Sequence, residues 1–356
     1  MFQCSELLKL YCESIVPALG ATPYFVAILN SRDEPLLLMP WSIEQRYGVR
    51  VLRFLDGGLS ELNAPVIFPA AQAWDRETTE LVWKNLQKVL LVDLAILEKM
   101  PAAVGDLPNP LLFLSASKDH ASSHVMTLDN ASLDAIFAGL PQRRTEARKR
   151  RRLSEQGTVE FKLAETPEHY DEIVEALRRQ KTRRYQETRG VDGLDRPGYL
   201  SFLESGRAYI HESGPVRLFA LSVGDTIIAA LLGFVARSRF YYFMPSFEGG
   251  KWRAYGPGRI LLHETIEWCL RKGGLDTFDF GVGDEDYKQL YCDVWVPLYR
   301  AEIPVTMRGR LYLKSRYFKY WLSMQAKQAA GWLRNRTTKP TAPVDALSSR
   351  TGLIEK

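Results

Sequence analysis

Arg253-Ala254-Tyr255-Gly256-Pro257-Gly258-Arg259 reads R-x-x-G-x-G and lies between a hydrophobic hairpin and a long amphipathic helix. Two glycines let a backbone pass close to a ligand, because no Cβ fills the space beside it. The helix predicted from about Arg259 to Lys272 brings unpaired N–H groups and the positive end of its dipole to the same point. A glycine loop that opens a helix after a strand is an anion cradle. Taken alone it can equally be a plain strand-to-helix turn, so its surroundings decide.

Upstream of the loop, 216–223, 226–235 and 239–244 read as an antiparallel meander turned at Gly224-Asp225 and Arg237-Ser238. Before the meander come a strand at 159–163, a helix at 167–187 with Ile173, Val174 and Leu177 toward a core, and a shorter helix at 199–205. Downstream, Gly273-Gly274 stops the loop's helix. A strand at 277–280 leads into Gly281-Val282-Gly283, followed by a short helix at 285–292 and a last strand near 299–305. The first part of the chain reads as a helix at 1–13 and short strands at 23–29, 35–40 and 51–55. A helix at 76–89 turns Leu81, Val82, Leu86 and Val89 to one face. A Pro/Gly/Ala-rich loop at 100–110 precedes a short strand at 124–128 and a helical region through Leu153.

Composition sets limits. With 356 residues, 46% hydrophobic and 25% charged, the chain has length for two domains, and its net charge of +5 permits an anionic cofactor without demanding nucleic acid. Cys4, Cys12, Cys269 and Cys292 have no C-x-x-C spacing and the five histidines are scattered, so neither a disulfide framework nor a metal site is expected. Glu6, Lys9 and Glu13 make the first segment an amphipathic helix, not a secretion signal. The longest apolar run, 226–236, is shorter than the ~20 residues of a membrane crossing and reads as a buried strand. A cytoplasmic location is expected.

The order of meander, glycine loop, helix, strand, short helix and strand resembles the core of the GNAT acyltransferases. In that family R/Q-x-x-G-x-G/A binds the pyrophosphate of acyl-coenzyme A, and Arg253, Gly256 and Gly258 match its fixed positions. Phe278-Asp279-Phe280-Gly281-x-Gly283-x-Glu285-x-Tyr287-Lys288 resembles the signature of the CelD-type group, named for a cellulose-biosynthesis protein. That group also looks like the Fem-type aminoacyltransferases, which carry two GNAT-like halves. The basic stretch from Arg143 to Leu153 resembles the group as well, as do Leu36-Leu37-Leu38-Met39-Pro40 and Phe54-Leu55-Asp56-Gly57-Gly58. The chain departs from the group's usual Ser-Pro-Gly at Gly256-Pro257-Gly258, toward the general GNAT loop.

The resemblance implies an α/β (α+β) protein of two tandem GNAT-like halves, each a mixed, mostly antiparallel sheet flanked by helices. The expected divisions are 1–125, 126–310 and a basic helical tail at 311–356 with a disordered end. It implies transfer of an acyl group from acetyl-coenzyme A or a longer acyl-coenzyme A to an amine or hydroxyl of a small-molecule or saccharide acceptor, in exopolysaccharide or envelope metabolism. A tRNA-dependent Fem-type aminoacyltransferase and a non-catalytic accessory protein of polysaccharide synthesis are the alternatives. Arg253, Gly256, Gly258 and Arg259 are the expected donor-binding residues, and Phe243 or Met244 and Phe280 or Gly281 would line the gap between splayed strands that takes the pantetheine arm.

For chemistry, Tyr287 is the candidate acid for the leaving thiolate, with Tyr291 one turn on as its backup; either can equally be a packing aromatic. Asp279 and Glu285 are candidate bases, against a structural hydrogen bond for the first and a helix-start role for the second. Lys288 reads as a solvated lysine, with pairing to an acceptor phosphate or carboxylate as the alternative, and His211 and His263 as structural. The run from Arg143 to Arg152 reads as a solvated basic face with Leu140, Ala147 and Leu153 as an apolar edge, and RNA contact is the weaker reading. A second basic cluster, Arg178, Arg179, Lys181, Arg183 and Arg184, reads first as a solvated helix face, and together with the first run favours an anionic acceptor or carrier. The segment 312–332 mixes aromatics and cations as interfacial helices do, so peripheral membrane contact and docking on the protein's own body both stand.

Overall fold

Residues 226–236 form a strand whose middle seven residues are buried on both faces, because helices cover the sheet from above and below at that point. The computed structural model describes residues 2–71, 74–115, 117–128, 132–138, 143–188, 193–283 and 285–337. They fall in two compact units, 1–309 and 310–356. The strands are β1 (Thr22–Leu29), β2 (Pro35–Arg46), β3 (Val49–Phe54), β4 (Val66–Ile67), β5 (Leu94–Pro101), β6 (Ala103–Val104), β7 (Leu107–Pro108), β8 (Ser117–Thr127), β9 (Val159–Leu163), β10 (Val216–Val223), β11 (Thr226–Ala236), β12 (Arg239–Phe247), β13 (Thr277–Val282) and β14 (Val294–Pro304). The helices are α1 (Ser5–Leu19), α2 (Arg76–Leu90), α3 (Leu133–Ala138), α4 (Arg143–Ser154), α5 (Pro167–Thr188), α6 (Tyr199–Ser205), α7 (Pro257–Lys272) and α8 (Met307–Thr337).

The first unit is built on one mixed sheet in the order β1-β2-β3-β5-β14-β8-β13-β12-β11-β10-β9, with β4 beside β2. Its pairings are antiparallel except β3 with β5 and β12 with β13. The expected mixed, mostly antiparallel sheet flanked by helices is therefore present. The two ends of the chain are stitched together within it: β14, the last strand, lies between β5 and β8.

Three apolar clusters fix the layers. Under β10–β12 on one face, α5 and α6 pack with α1 from the very start of the chain. Tyr11 stacks on Phe202 with centroids 5.4 Å apart, and Phe2 meets Tyr241 edge-on at 5.3 Å. Each such buried ring contributes on the order of 2–3 kcal/mol, enough to tie Phe2 to β12 and α1 to α6. On the opposite face α7 covers Phe219, Leu231, Phe240 and Phe278, with Leu153 of α4 beside them. A third cluster joins β2, β3 and β5 to Trp83 of α2.

Several sequence expectations change. β5 was not anticipated, and β2 and β8 are longer than expected. On α2 the buried stripe is Thr79, Trp83 and Leu90, while Leu81 and Val89 are exposed. Trp83 has the largest apolar area to bury, and it turns the helix toward its own face. The short helix at 285–292 is only a 3₁₀ turn over Lys288–Leu290. Leu140 and the expected disordered end beyond 337 lie outside the described residues.

Candidate active site

β12 and β13 run parallel and pair only at Arg239–Thr277, Phe240–Phe278 and Tyr241–Asp279. Beyond that point the strands part. The register of β12 against β11 slips at Phe243, between Tyr242 and Met244, and a bulge there bends the strand and adds twist. β13 keeps its other neighbour, β8, with its own irregularity between Asp279 and Val282. This leaves a wedge between the unpaired ends of the two strands, where Phe243 and Met244 continue β12 and Phe280 and Gly281 continue β13.

At the β12 side, α7 begins with Gly256 at φ 65°, a left-handed conformation that favours glycine, and Pro257 at its first position. Gly256 N–H donates to Arg253 O and Arg259 N–H to Gly256 O. Pro257 has no N–H, so of these four positions Gly258 alone has an N–H without a partner among the described residues. A Cβ at Gly258 would come within 2.9 Å of Phe247 Cδ1, so this glycine also admits the end of β12. The side chain of Arg253 is exposed.

A carboxylate sits at this helix start. Glu146 of α4 is buried, and its Oε1 accepts from Arg259 Nη1 at 2.9 Å and from Lys149 Nζ at 3.4 Å. Its Oε2 has no hydrogen-bond partner among the described residues and lies 4.0 Å from the position of a Cβ on Gly256. The expected apolar edge of α4 is corrected: Leu153 is buried, but Ala147 is exposed and the acid takes the inner position. The basic face is also not simply solvated. Arg150 pairs with the buried Glu264 of α7, and Arg152 lies 5.6 Å over the Tyr255 ring.

At the β13 side, the end of the strand is tied from three directions. Asp279 is fully buried; Oδ1 accepts from Ser123 Oγ and from Gly281 N–H, both at 2.8 Å, and Oδ2 accepts from Arg239 Nη1 at 3.1 Å. Lys288, expected on the surface, is 3% exposed. Its Nζ donates to the carbonyls of Gly281, Val282 and Gly283 at 3.1–3.4 Å and pairs with Glu285 at 2.9 Å. The third tie comes from the first part of the chain: Glu61 Oε2 accepts the Val282 N–H at 2.6 Å. Gly281, at φ 71°, leaves room for it, since a Cβ there would stand 3.1 Å from the same oxygen. Burial raises the Glu61 carboxyl above the usual range, against the pull of Lys99, the Val282 N–H and Lys288.

Tyr287 packs on the other face of β13, its ring 6.4 Å from Phe280. Burial, and then Glu285, push its hydroxyl well above the usual value, so it stays protonated at neutral pH. Tyr291 is bonded to His263 Nε2 at 2.7 Å and stacks on Phe280 at 5.7 Å. Burial pushes Tyr291 up to about 12 and His263 down to about 4.

Of the expected residues, the fold brings Gly256, Gly258 and Arg259 together at α7, and Asp279, Glu285 and Tyr287 together at the end of β13. Asp279 uses both oxygens in holding strands, and Glu285 holds Lys288. Glu61 and Glu146 were not anticipated; neither lies in a motif, and Glu146 is hidden in a basic run. The cluster at Arg178–Arg184 is largely neutralised: Arg178 pairs with Glu175, Arg179 with Glu248, and Arg183 with Glu187. That weakens the reading of it as an anion-acceptor surface. Among the described residues no group of three His, Cys, Asp or Glu side chains is disposed to hold a metal ion.

Residues 141–289 match the family model of the acetyltransferase (GNAT) domain. The match runs from the start of α4 through the α7 cradle and the wedge to the turn after Tyr287. That stretch is similar to a GNAT-type acetyltransferase domain. No curated protein matches it in sequence. Among solved structures, FemX is similar with a TM-score of 0.57 at 10% identity, covering 85% of this chain and 92% of that one. A conserved protein of unknown function from Bacteroides thetaiotaomicron gives 0.54 at 10% identity, covering 84% and 89%. The C-terminal domain (DUF2156) of a putative lysylphosphatidylglycerol synthetase from Agrobacterium fabrum gives 0.52 at 12% identity, covering 87% and 95%. At these identities the likeness is one of fold.

Proposed function

We propose that this chain is an acyltransferase of the CelD-type group that moves an acyl group from acetyl- or a longer acyl-coenzyme A to an amine or hydroxyl of a small-molecule or saccharide acceptor. Exopolysaccharide or envelope metabolism is the setting we infer for it. One observation carries the reading: β12 and β13 part beside the start of α7, and a raised carboxyl and a protonated tyrosine flank the parted end of β13 on opposite faces. Residues 126–310 are read as the donor-binding half, and 1–125 as supplying Glu61 to the acceptor side.

The residues present suit such a donor. Gly258 N–H, Arg259 and Lys149 are the groups for its phosphates, with Arg253 free to swing in from solvent. The wedge suits the pantetheine arm, bounded by Phe243 and Phe280. Glu61 accepts the proton that the acceptor nitrogen or oxygen loses as its bond to the acyl carbon forms. Tyr287 donates its proton to the sulfur as the carbon–sulfur bond breaks. Asp279 and Lys288 are positioning residues that hold the loop between these two groups.

The test is release of free coenzyme A thiol from acetyl- and long-chain acyl-coenzyme A in the presence of amino-sugar and sugar acceptors. Acceptor-dependent thiol release that ribonuclease leaves untouched supports the reading. Transfer that ignores coenzyme A and is destroyed by ribonuclease supports the Fem-type reading instead, and absence of any turnover the accessory-protein reading.

A further inference from the structure

Helix α8 carries an unusual surface. Between Met307 and Thr337 the sequence holds eight Lys or Arg and no Asp or Glu. Its described part keeps Leu311, Phe318, Trp321 and Leu322 exposed, each at 47% or more. Stepping about 100° per residue, these four side chains and Met307 share one arc of roughly 100°. Arg308, Arg316 and Lys319 occupy an arc on the other side. Lys314 falls inside the apolar arc and Arg310 borders it, where long aliphatic stems can lie along apolar surface while the charge reaches out. Phe318 and Trp321 stack at 6.0 Å, forming one flat aromatic patch.

A helix with this many charges does not cross a bilayer, and no described helix is long and apolar enough to do so. An apolar arc flanked by cations, with aromatics at the boundary, is instead the pattern of a helix lying in the plane of a membrane surface. The absence of any acid along its length gives the choice of partner: positive charge along the whole helix is complementary to anionic headgroups.

We propose that α8 docks this protein on the surface of an anionic lipid bilayer, with Leu311, Phe318, Trp321 and Leu322 entering the headgroup–acyl boundary and the exposed lysines and arginines pairing with phosphates. The proposal stands apart from the acyl-transfer reading, since no residue of the wedge takes part.

The full chain would be sedimented with vesicles of phosphatidylcholine alone and with about one-third phosphatidylglycerol. It is expected to pellet with the anionic vesicles, to stay in solution with the neutral ones, and to be released by high salt. The double variant Phe318→Ser, Trp321→Ser should lower partition by roughly tenfold while far-ultraviolet dichroism and thiol-release activity stay as in the wild type. Failure to pellet with anionic vesicles, or equal pelleting with neutral ones, overturns the proposal. So does a self-associated dimer lost in the double variant, or retention by tRNA of a chain that vesicles leave behind; the occupant would then be a second copy or a nucleic acid.

Discussion

The two banks of the wedge are built on opposite principles. At the end of β13 nearly every polar group is answered: Asp279 spends both oxygens, Lys288 caps three carbonyls, and Glu61 takes the remaining N–H. At the start of α7 the polar groups are answered only in part. The Glu146 carboxylate stands between Arg259 and Lys149 with one oxygen unpartnered, in a place that suits a phosphate. A saturated network holds geometry, whereas a cradle filled by a displaceable anion is ready to exchange it. The first bank is suited to positioning chemistry and the second to binding.

That contrast can be broken by substitution. Glu61→Gln should cost the most, lowering turnover by roughly 10³-fold while leaving donor affinity unchanged, because the amide can still accept the Val282 N–H. The sign of the pH effect is fixed by the raised carboxyl: the base works only when deprotonated, so activity rises with pH through a value above the ordinary carboxylate range. The acid limb of the pH–rate profile should vanish in the variant, and an unchanged profile would remove Glu61 from the chemistry.

Lys288→Met should lower stability by about 3 kcal/mol, since three carbonyls at the end of β13 lose their donor. Denaturant unfolding checks this, and a loss under ~0.5 kcal/mol would mean the loop is not held by Lys288. Tyr287→Phe should lower turnover by roughly 10²-fold with no change in donor binding; equal rates would make it a packing ring. Glu146→Gln, at the other bank, should have the smallest effect and the opposite direction. Removing a negative charge from the helix start should tighten donor binding by about fivefold, and weaker binding would mean that Glu146 builds the cradle and does not compete for it.

The sequence reveals these two banks unequally. The R-x-x-G-x-G loop and the meander before it are local patterns, and β9, β10 and α6 lie where periodicity puts them. Phe278 and Phe280 do alternate with Asp279 across β13, as the period of a strand requires. The long-range ties leave no such trace. Glu61 reaches β13 from 221 residues away, and nothing local marks a loop acid as the partner of a distant strand. Lys288 looks like any surface lysine until three carbonyls are seen around it. α1 closes a core that belongs to strands far down the chain, so segments that sequence order separates share one core.

We propose that the start of α7 seats an acyl-coenzyme A. This is tested most directly by calorimetric titration of the full chain with acetyl- and long-chain acyl-coenzyme A, wild type beside Gly258→Asp. The added carboxylate meets both the helix dipole's preferred anion position and the half-exposed Phe247 ring, which is 38% exposed and has solvent to turn into. Single-site binding of at least one donor by the wild type is expected, with its loss in a variant that still unfolds cooperatively. Absence of binding to every donor, or equal affinity in Gly258→Asp, would contradict it.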